Sequence, residues 1–250
     1  MVQIKNSEQL ASMRKAGRIT GEAILVAREH IKEGVSTKAL DTLIRNYIEK
    51  CGAKPSFLGY GGFPGSACIS INDEVIHGIP SAKRFLKEGD IVKIDVGAYI
   101  GGFHGDSANT FGVGKISDEA EKLIAVTRES FYRGVKMAAA GKRIGDIGSA
   151  ICDYAENLGY GGVRKFVGHG VGHELHEDPE VPNFGTAGRG ARLYPGMTIA
   201  IEPMVNIGTR DVKVLGDEWT VVTADGSLSA HFEHTVAITD GEPILLTYVE

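Results

Sequence analysis

The chain has 250 residues, 42% hydrophobic and 24% charged, with 34 glycines and 8 prolines, a balance that excludes disordered, collagen-like and fibrous proteins. Lys and Arg number 27 against 32 Asp and Glu, a formal charge of −5, so the basic excess expected of a nucleic-acid binder is missing. Cys51, Cys68 and Cys152 have no paired spacing and read as reduced thiols. The start Met1-Val2-Gln3-Ile4-Lys5-Asn6 lacks a signal-peptide apolar core, and no window approaches the roughly 20 apolar residues of a membrane span. A soluble cytoplasmic protein is expected.

Asn6 and Gln9 form a candidate capping box. Behind it Leu10, Met13, Gly17, Ile24 and Ile31 keep helical spacing in a long segment ending near Gly34. A second helix follows Ser36 or Thr37, with Leu40, Leu43, Ile44, Tyr47, Ile48 and Cys51 on one face and Gly52 as its stop. Strand-like runs follow near 66–73, 90–100 and 106–113. Ser117 then precedes the acidic turn Asp118, Glu119, Glu121, which suits a helix N-terminus; that helix runs to about Ala140. A shorter one carries Ile147, Ile151, Tyr154 and Leu158 and stops at Gly159. Strand-like runs recur near 197–206, 219–224 and 231–239.

The order of elements thus restarts. Gly34 and Gly141, Tyr47 and Tyr154, Gly52 and Gly159, Gly89 and Gly196, and Ile94 and Ile201 share an offset of 107 residues, which also places Asp95 on Glu202. Chance matching among abundant glycines is the alternative; a true repeat implies one domain over 1–250 built of two helix-helix-sheet halves, about 6–113 and 117–239, across a pseudo-twofold axis.

The run Ile91-Val92-Lys93-Ile94-Asp95-Val96-Gly97 sets one carboxylate among apolar strand residues, where an isolated charge is costly. The link Gly101, Gly102, Gly105 suits a reversal, with Asp106 opening the next strand beside Asp95. Glu202 sits in Thr198–Val205 and Glu233 in His231–Ile238 in the same way. Asp95 or Asp106 alone reads first as a turn cap or salt-bridge partner. Four converging carboxylates repel one another unless cations neutralise them, and two divalent ions balance the charge. In Gly168-His169-Gly170-Val171-Gly172-His173 the histidines are spaced as in a helical zinc pair, but the glycines oppose a helix. His77, before a turn signal, reads first as a structural histidine.

Taken together, Asp95, Asp106, His169 in GHGVG, Glu202 in IEPM and Glu233 in HFEHT resemble the pita-bread metallopeptidases of family M24. Within that family the resemblance is to the bacterial-like type I methionine aminopeptidases, and it extends to EVIHGIP, KIDVGAYIGGFHGD and the single Trp219. The short interval from His169 to Glu202 leaves no room for a type II insertion, nor the length for an extra prolidase domain. The resemblance implies an α/β pita-bread fold with a central antiparallel sheet flanked by helices. It implies two divalent ions (Mn, Fe, Co or Zn) on Asp95, Asp106, His169, Glu202 and Glu233. By the same resemblance Glu202 is the proton shuttle, and His77 and His176 contact the scissile group. Tyr60, Phe63, Cys68, Leu175 and Trp219 line a methionine pocket with His77 on its wall, although Phe57, Phe63 and Leu175 depart from familiar bacterial versions. Oxygens of Asn72 and Ser229 are expected to hold one monovalent cation.

The activity implied is hydrolytic removal of the initiator methionine from nascent polypeptide N-termini with a small second residue, by a monomer with no DNA or membrane partner. Any transient ribosome contact would rest on a local patch. The rival expectations are an Xaa-Pro aminopeptidase or dipeptidase on the same fold, a non-catalytic pita-bread binding protein, and a metal-free hydrolase using paired carboxylates.

Overall fold

The computed structural model describes residues 2–249. Four helices, α1 (Ser7–Arg28), α2 (Thr37–Lys50), α3 (Asp118–Met137) and α4 (Ile144–Asn157), flank a nine-stranded sheet in which every pairing is antiparallel. From one edge the sheet runs Lys54–Pro55, Ile91–Ile100, Phe103–Gly112, Glu233–Ala237, Thr198–Ile201, Gly168–Gly170 and Glu177–Val181. Ala67–Ile71 also pairs with Ile91–Ile100, and Ile244–Leu245 with Glu233–Ala237. Two three-stranded sheets complete the fold. None of the described helices is long and apolar enough to cross a membrane.

The helix starts follow from the sequence. Asn6 and Gln9 make a reciprocal capping box, and the Ser36 and Ser117 hydroxyls accept from the backbone N–H groups of Ala39 and Ala120, satisfying donors that a helix N-terminus leaves open. The ends differ more. Helix α1 stops at Arg28 rather than near Gly34, with turns at 29–30 and 33–34. Helix α4 begins at Ile144, ahead of the apolar stripe, with Asp146 accepting from the Arg143 N–H. At the 107-residue offset, Gly34 and Gly141, Gly52 and Gly159, and Gly89 and Gly196 all have φ between +73° and +88°, a region that favours glycine.

Alternation along Ile91–Ile100 sorts the core from the site. Val92, Ile94, Val96 and Ala98 pack with Ile24, Leu40, Ile44 and Ile48 of α1 and α2, so Lys93, Asp95 and Gly97 point to the opposite face. A second cluster joins Phe131, Ile147 and Ile151 to Ile199, Ile201 and Val236. The hairpin turns at Gly101 and Gly102 alone, with Ile100 opposite Phe103. Gly105 therefore lies inside the second strand, and Asp106 is its fourth residue rather than its first.

Gly105 has a packing reason to lack a side chain: a Cβ there would lie 2.6 Å from the Gly17 Cα of α1. The contact is backbone against backbone, so neither side can yield without moving the helix. Gly105→Ala is expected to cost about 2–3 kcal/mol, lowering Tm by roughly 6 °C; an unchanged thermal melt would show that α1 is free to shift.

Candidate metal centre and active site

Asp95 and Asp106 lie on the same face of the hairpin, two register positions apart, because Asp95 pairs with Ala108 and Asp106 with Gly97. The Asp106 backbone is fixed twice by Thr235, whose hydroxyl accepts from the Asp106 N–H at 3.0 Å and donates to its carbonyl at 2.9 Å. Ser107 Oγ donates to the Glu233 carbonyl at 2.6 Å. Glu202 is not inside a strand: the strand in the nine-stranded sheet stops at Ile201, and the next, Met204–Asn206, pairs in a separate three-stranded sheet, with Pro203, which has no N–H to offer, between them. The side-chain amide of Asn183 donates to the Glu202 carbonyl at 3.0 Å and holds this break.

His169 sits in the short strand Gly168–Gly170, not in a helix. Added Cβ atoms at the two flanking glycines would each fall 2.3 Å from a neighbouring carbonyl, that of Ala200 or Asp178. The glycines let this strand squeeze between its neighbours and deliver the imidazole. Its Nε2 lies 3.6 Å from both Asp106 Oδ2 and Glu202 Oε1. Ligand-type atoms of Asp106, His169 and Glu233 all lie within 4.8 Å of one another.

A cavity of about 190 Å³ gathers Asp95, Asp106, His169, Glu202 and Glu233 with His77, His176, Tyr60, Phe63, Cys68, Leu175 and Trp219. Phe57, Phe63, Cys68 and Leu175 form one apolar cluster, against which Trp219 packs. The Phe63 and Trp219 rings meet edge-on at 5.1 Å. His77 adopts a left-handed backbone (φ 59°), and its ring lies edge-on to Phe166 and Trp219. His176 and Tyr60 stand at the exposed mouth, stacked at 5.2 Å and hydrogen-bonded between Nδ1 and the phenol oxygen at 2.8 Å. Ile76, Phe166 and Val167, to which the sequence assigns no role, also line the cavity; they are ordinary apolar residues, and only the folded chain brings them there.

His231 is a further residue the sequence reading passes over. It is buried, its Nε2 lies 3.9 Å from Glu202 Oε2, and neither ring nitrogen has a hydrogen-bonding partner among the described residues. Its place two residues before Glu233 was the available signal, since strand residues two apart share a face.

Among the described residues no Lys or Arg lines the cavity, so the acidic cluster is electrostatically unbalanced. Desolvation pushes Asp106 up to about 7. Desolvation, then the charge of Asp106, raises Asp95. Glu202 and Glu233 are raised well above the usual carboxylate range, by desolvation first and then by Asp106 and its neighbours. Burial lowers His169 to about 3 and His77 to about 4, with the charge of His176 a lesser cause in each, so both imidazoles are neutral near pH 7. Asp95 Oδ1 and Asp106 Oδ1 are buried without a hydrogen-bonding partner among the described residues, a costly state for polar atoms. Orphaned carboxylate oxygens, a neutral imidazole and the absence of thiolates among them form a donor set that fits divalent cations.

The comparisons with known proteins follow the same chemistry. The family model of metallopeptidase family M24 matches residues 11–240. The chain belongs to metallopeptidase family M24. Among M24 relatives, a methionine aminopeptidase of Clostridium acetobutylicum is 55% identical, with 100% of each chain covered. The crystal structure of a methionine aminopeptidase from Thermotoga maritima superposes with a TM-score of 0.98 at 44% identity, covering 100% of each chain. A prolidase from Pyrococcus furiosus shares the fold at a TM-score of 0.80 and 27% identity; the match covers 99% of this chain and 66% of the prolidase. The mixed α/β fold with its antiparallel sheet is thus the pita-bread fold of these enzymes.

Asn72 and Ser229 also come together, and neither is among the residues that line the cavity. The Asn72 carbonyl accepts from the Ser229 N–H at 3.1 Å and from Lys93 Nζ at 2.7 Å.

Proposed function

We propose that this M24 enzyme hydrolyses the peptide bond after an N-terminal methionine on nascent polypeptides and peptides whose second residue is small. The observation that carries the reading is the junction of a cation-seeking carboxylate cluster with an apolar recess inside one cavity. The full-length similarity to methionine aminopeptidases supports the choice of substrate.

Asp95, Asp106, His169, Glu202 and Glu233 would hold the metal, with two divalent ions best balancing four carboxylates. Such ions supply positive charge that polarises a carbonyl and acidifies water. The remaining work belongs to the side chains. Phe57, Phe63, Cys68, Leu175 and Trp219 enclose an unbranched apolar side chain and exclude water around it. Glu202, its proton affinity raised by desolvation, accepts a proton from the attacking water and returns it to the departing amine. Neutral His77 orients the scissile amide from the cavity wall. The Tyr60 hydroxyl oxygen and His176 Nδ1 are 2.8 Å apart; a hydroxyl that donates there leaves the imidazole proton on Nε2, to be donated to the oxygen that gains charge in the tetrahedral state.

The deciding experiment supplies metal-stripped protein with Mn²⁺ or Co²⁺ and compares Met-Ala-Ser with Ala-Pro-Ala. Metal-dependent release of Met from the first alone is expected. Preference for the proline peptide would move the assignment to the Xaa-Pro side of the fold, and no turnover of either would sink the hydrolytic reading.

A further inference from the structure

Lys93 is a fully buried lysine, 1% exposed, on the same strand face as Asp95. Its Nζ donates to the Asn72 carbonyl at 2.7 Å. That carbonyl is aimed by its surroundings. Asn72 takes a left-handed backbone (φ 54°), its side-chain amide donates to Asp90 Oδ1 at 2.8 Å, and its side-chain oxygen accepts from the Ile91 N–H at 3.0 Å. Ser229 closes the other side through its N–H. Asp73, Glu74 and Asp90 contribute negative charge around the lysine, against the positive charge of Arg84, which itself pairs with Glu74.

This is where the family resemblance expects a monovalent cation on oxygens of Asn72 and Ser229. The residues present do not fit that ion. An alkali ion binds by replacing its water shell with carbonyl oxygens, and the carbonyl it would need already accepts from two N–H donors. A lysine amine is compact, with donors and, when charged, no acceptor. Whatever its charge, it covers the oxygen and fills the space in front of it.

We propose that Lys93 takes the place of the monovalent cation, so that the chain carries this structural element covalently and needs neither Na⁺ nor K⁺ at the Asn72–Ser229 site. The inference rests on the family placement of that site and not on the hydrolytic reading, so stability is measured rather than turnover.

The test is a set of thermal melts of the divalent-loaded protein in NaCl, KCl and choline chloride at equal ionic strength. The wild-type chain is expected to melt within about 1 °C in all three salts, because an alkali ion that cannot bind contributes no linkage stabilisation. Lys93→Ser opens the space and should gain a saturable rise in Tm with Na⁺ or K⁺ and none with choline. A saturable alkali response in the wild type would overturn the substitution by Lys93. A folded Lys93→Ser that ignores the salt would show instead that no cation site underlies it. Should that variant fail to fold, thallium-205 NMR of the wild type decides: a bound Tl⁺ signal displaced by K⁺ overturns the proposal, and free Tl⁺ alone upholds it.

Discussion

Glu202→Gln is expected to lower kcat for Met-Ala-Ser by about 10³-fold with the fold intact. The amide matches the carboxylate in shape and can still accept a hydrogen bond, but it cannot take a proton from water and give it to the leaving amine. Stability should not suffer. In the metal-free protein this carboxylate is disfavoured by desolvation and by the charges of Asp106 and Asp95, so a neutral amide relieves repulsion. Because Glu202 also belongs to the proposed ligand set, metal content must be measured alongside kcat at saturating divalent ion. A variant that keeps its metal and loses turnover locates the loss in proton transfer. One that keeps its metal and stays within about tenfold of the wild type would remove the proton-shuttle role.

Local rules in the sequence carried the helices further than the strands. Asn6, Ser36 and Ser117 mark helix starts because capping is a short-range exchange of hydrogen bonds. The same apolar spacing fails at ends, where tertiary contacts decide: Leu158 continues the stripe of α4 yet is exposed beyond its last turn. Gly105 read as part of a turn because glycine has two uses, and only the approach of Gly17 separates them. At Glu202-Pro203 the proline signals a break, but the apolar residues on either side of it read as one strand.

For the site, alternation alone placed Asp95 opposite the core residues Ile94 and Val96, which is where the structure has it. The pocket walls were legible only through the family resemblance. Phe63, Leu175 and Trp219 are far apart in sequence, and nothing in their local spacing distinguishes a wall from a core. His231 and Lys93 were legible to neither approach, since each needs a neighbour from another strand to become noticeable.

Removal of divalent ions should leave a protein whose Tm is highest near pH 6–6.5 and falls by roughly 5 °C or more on going to pH 8. The sign follows from proton binding. Asp106 is held near 7 in the folded chain, against an ordinary value of 3.8, and Asp95, Glu202 and Glu233 are raised as well. Between pH 6.5 and 8 the folded state therefore binds protons that the unfolded chain has released, and stability declines as pH rises through the folded-state values. Below about pH 6.5 the balance reverses. His77, His104, His169, His231 and His234 are lowered to between about 3 and about 4 by burial, and His176 is lowered as well, so in acid the unfolded chain takes up more imidazole protons than the raised carboxylates hold in the folded one, and stability declines again. Divalent ions compete with protons for the same carboxylate oxygens. Adding Mn²⁺ should raise Tm more at pH 8 than at pH 6.5 and remove the alkaline fall. Glu233→Gln should shrink that fall in the metal-free protein, since it deletes one of the mutually repelling charges. A metal-stripped protein that melts alike at pH 6.5 and pH 8, with no response to Mn²⁺ at either, would mean that the four carboxylates do not share one uncompensated field, and the argument for metal at this cavity would lose its physical basis.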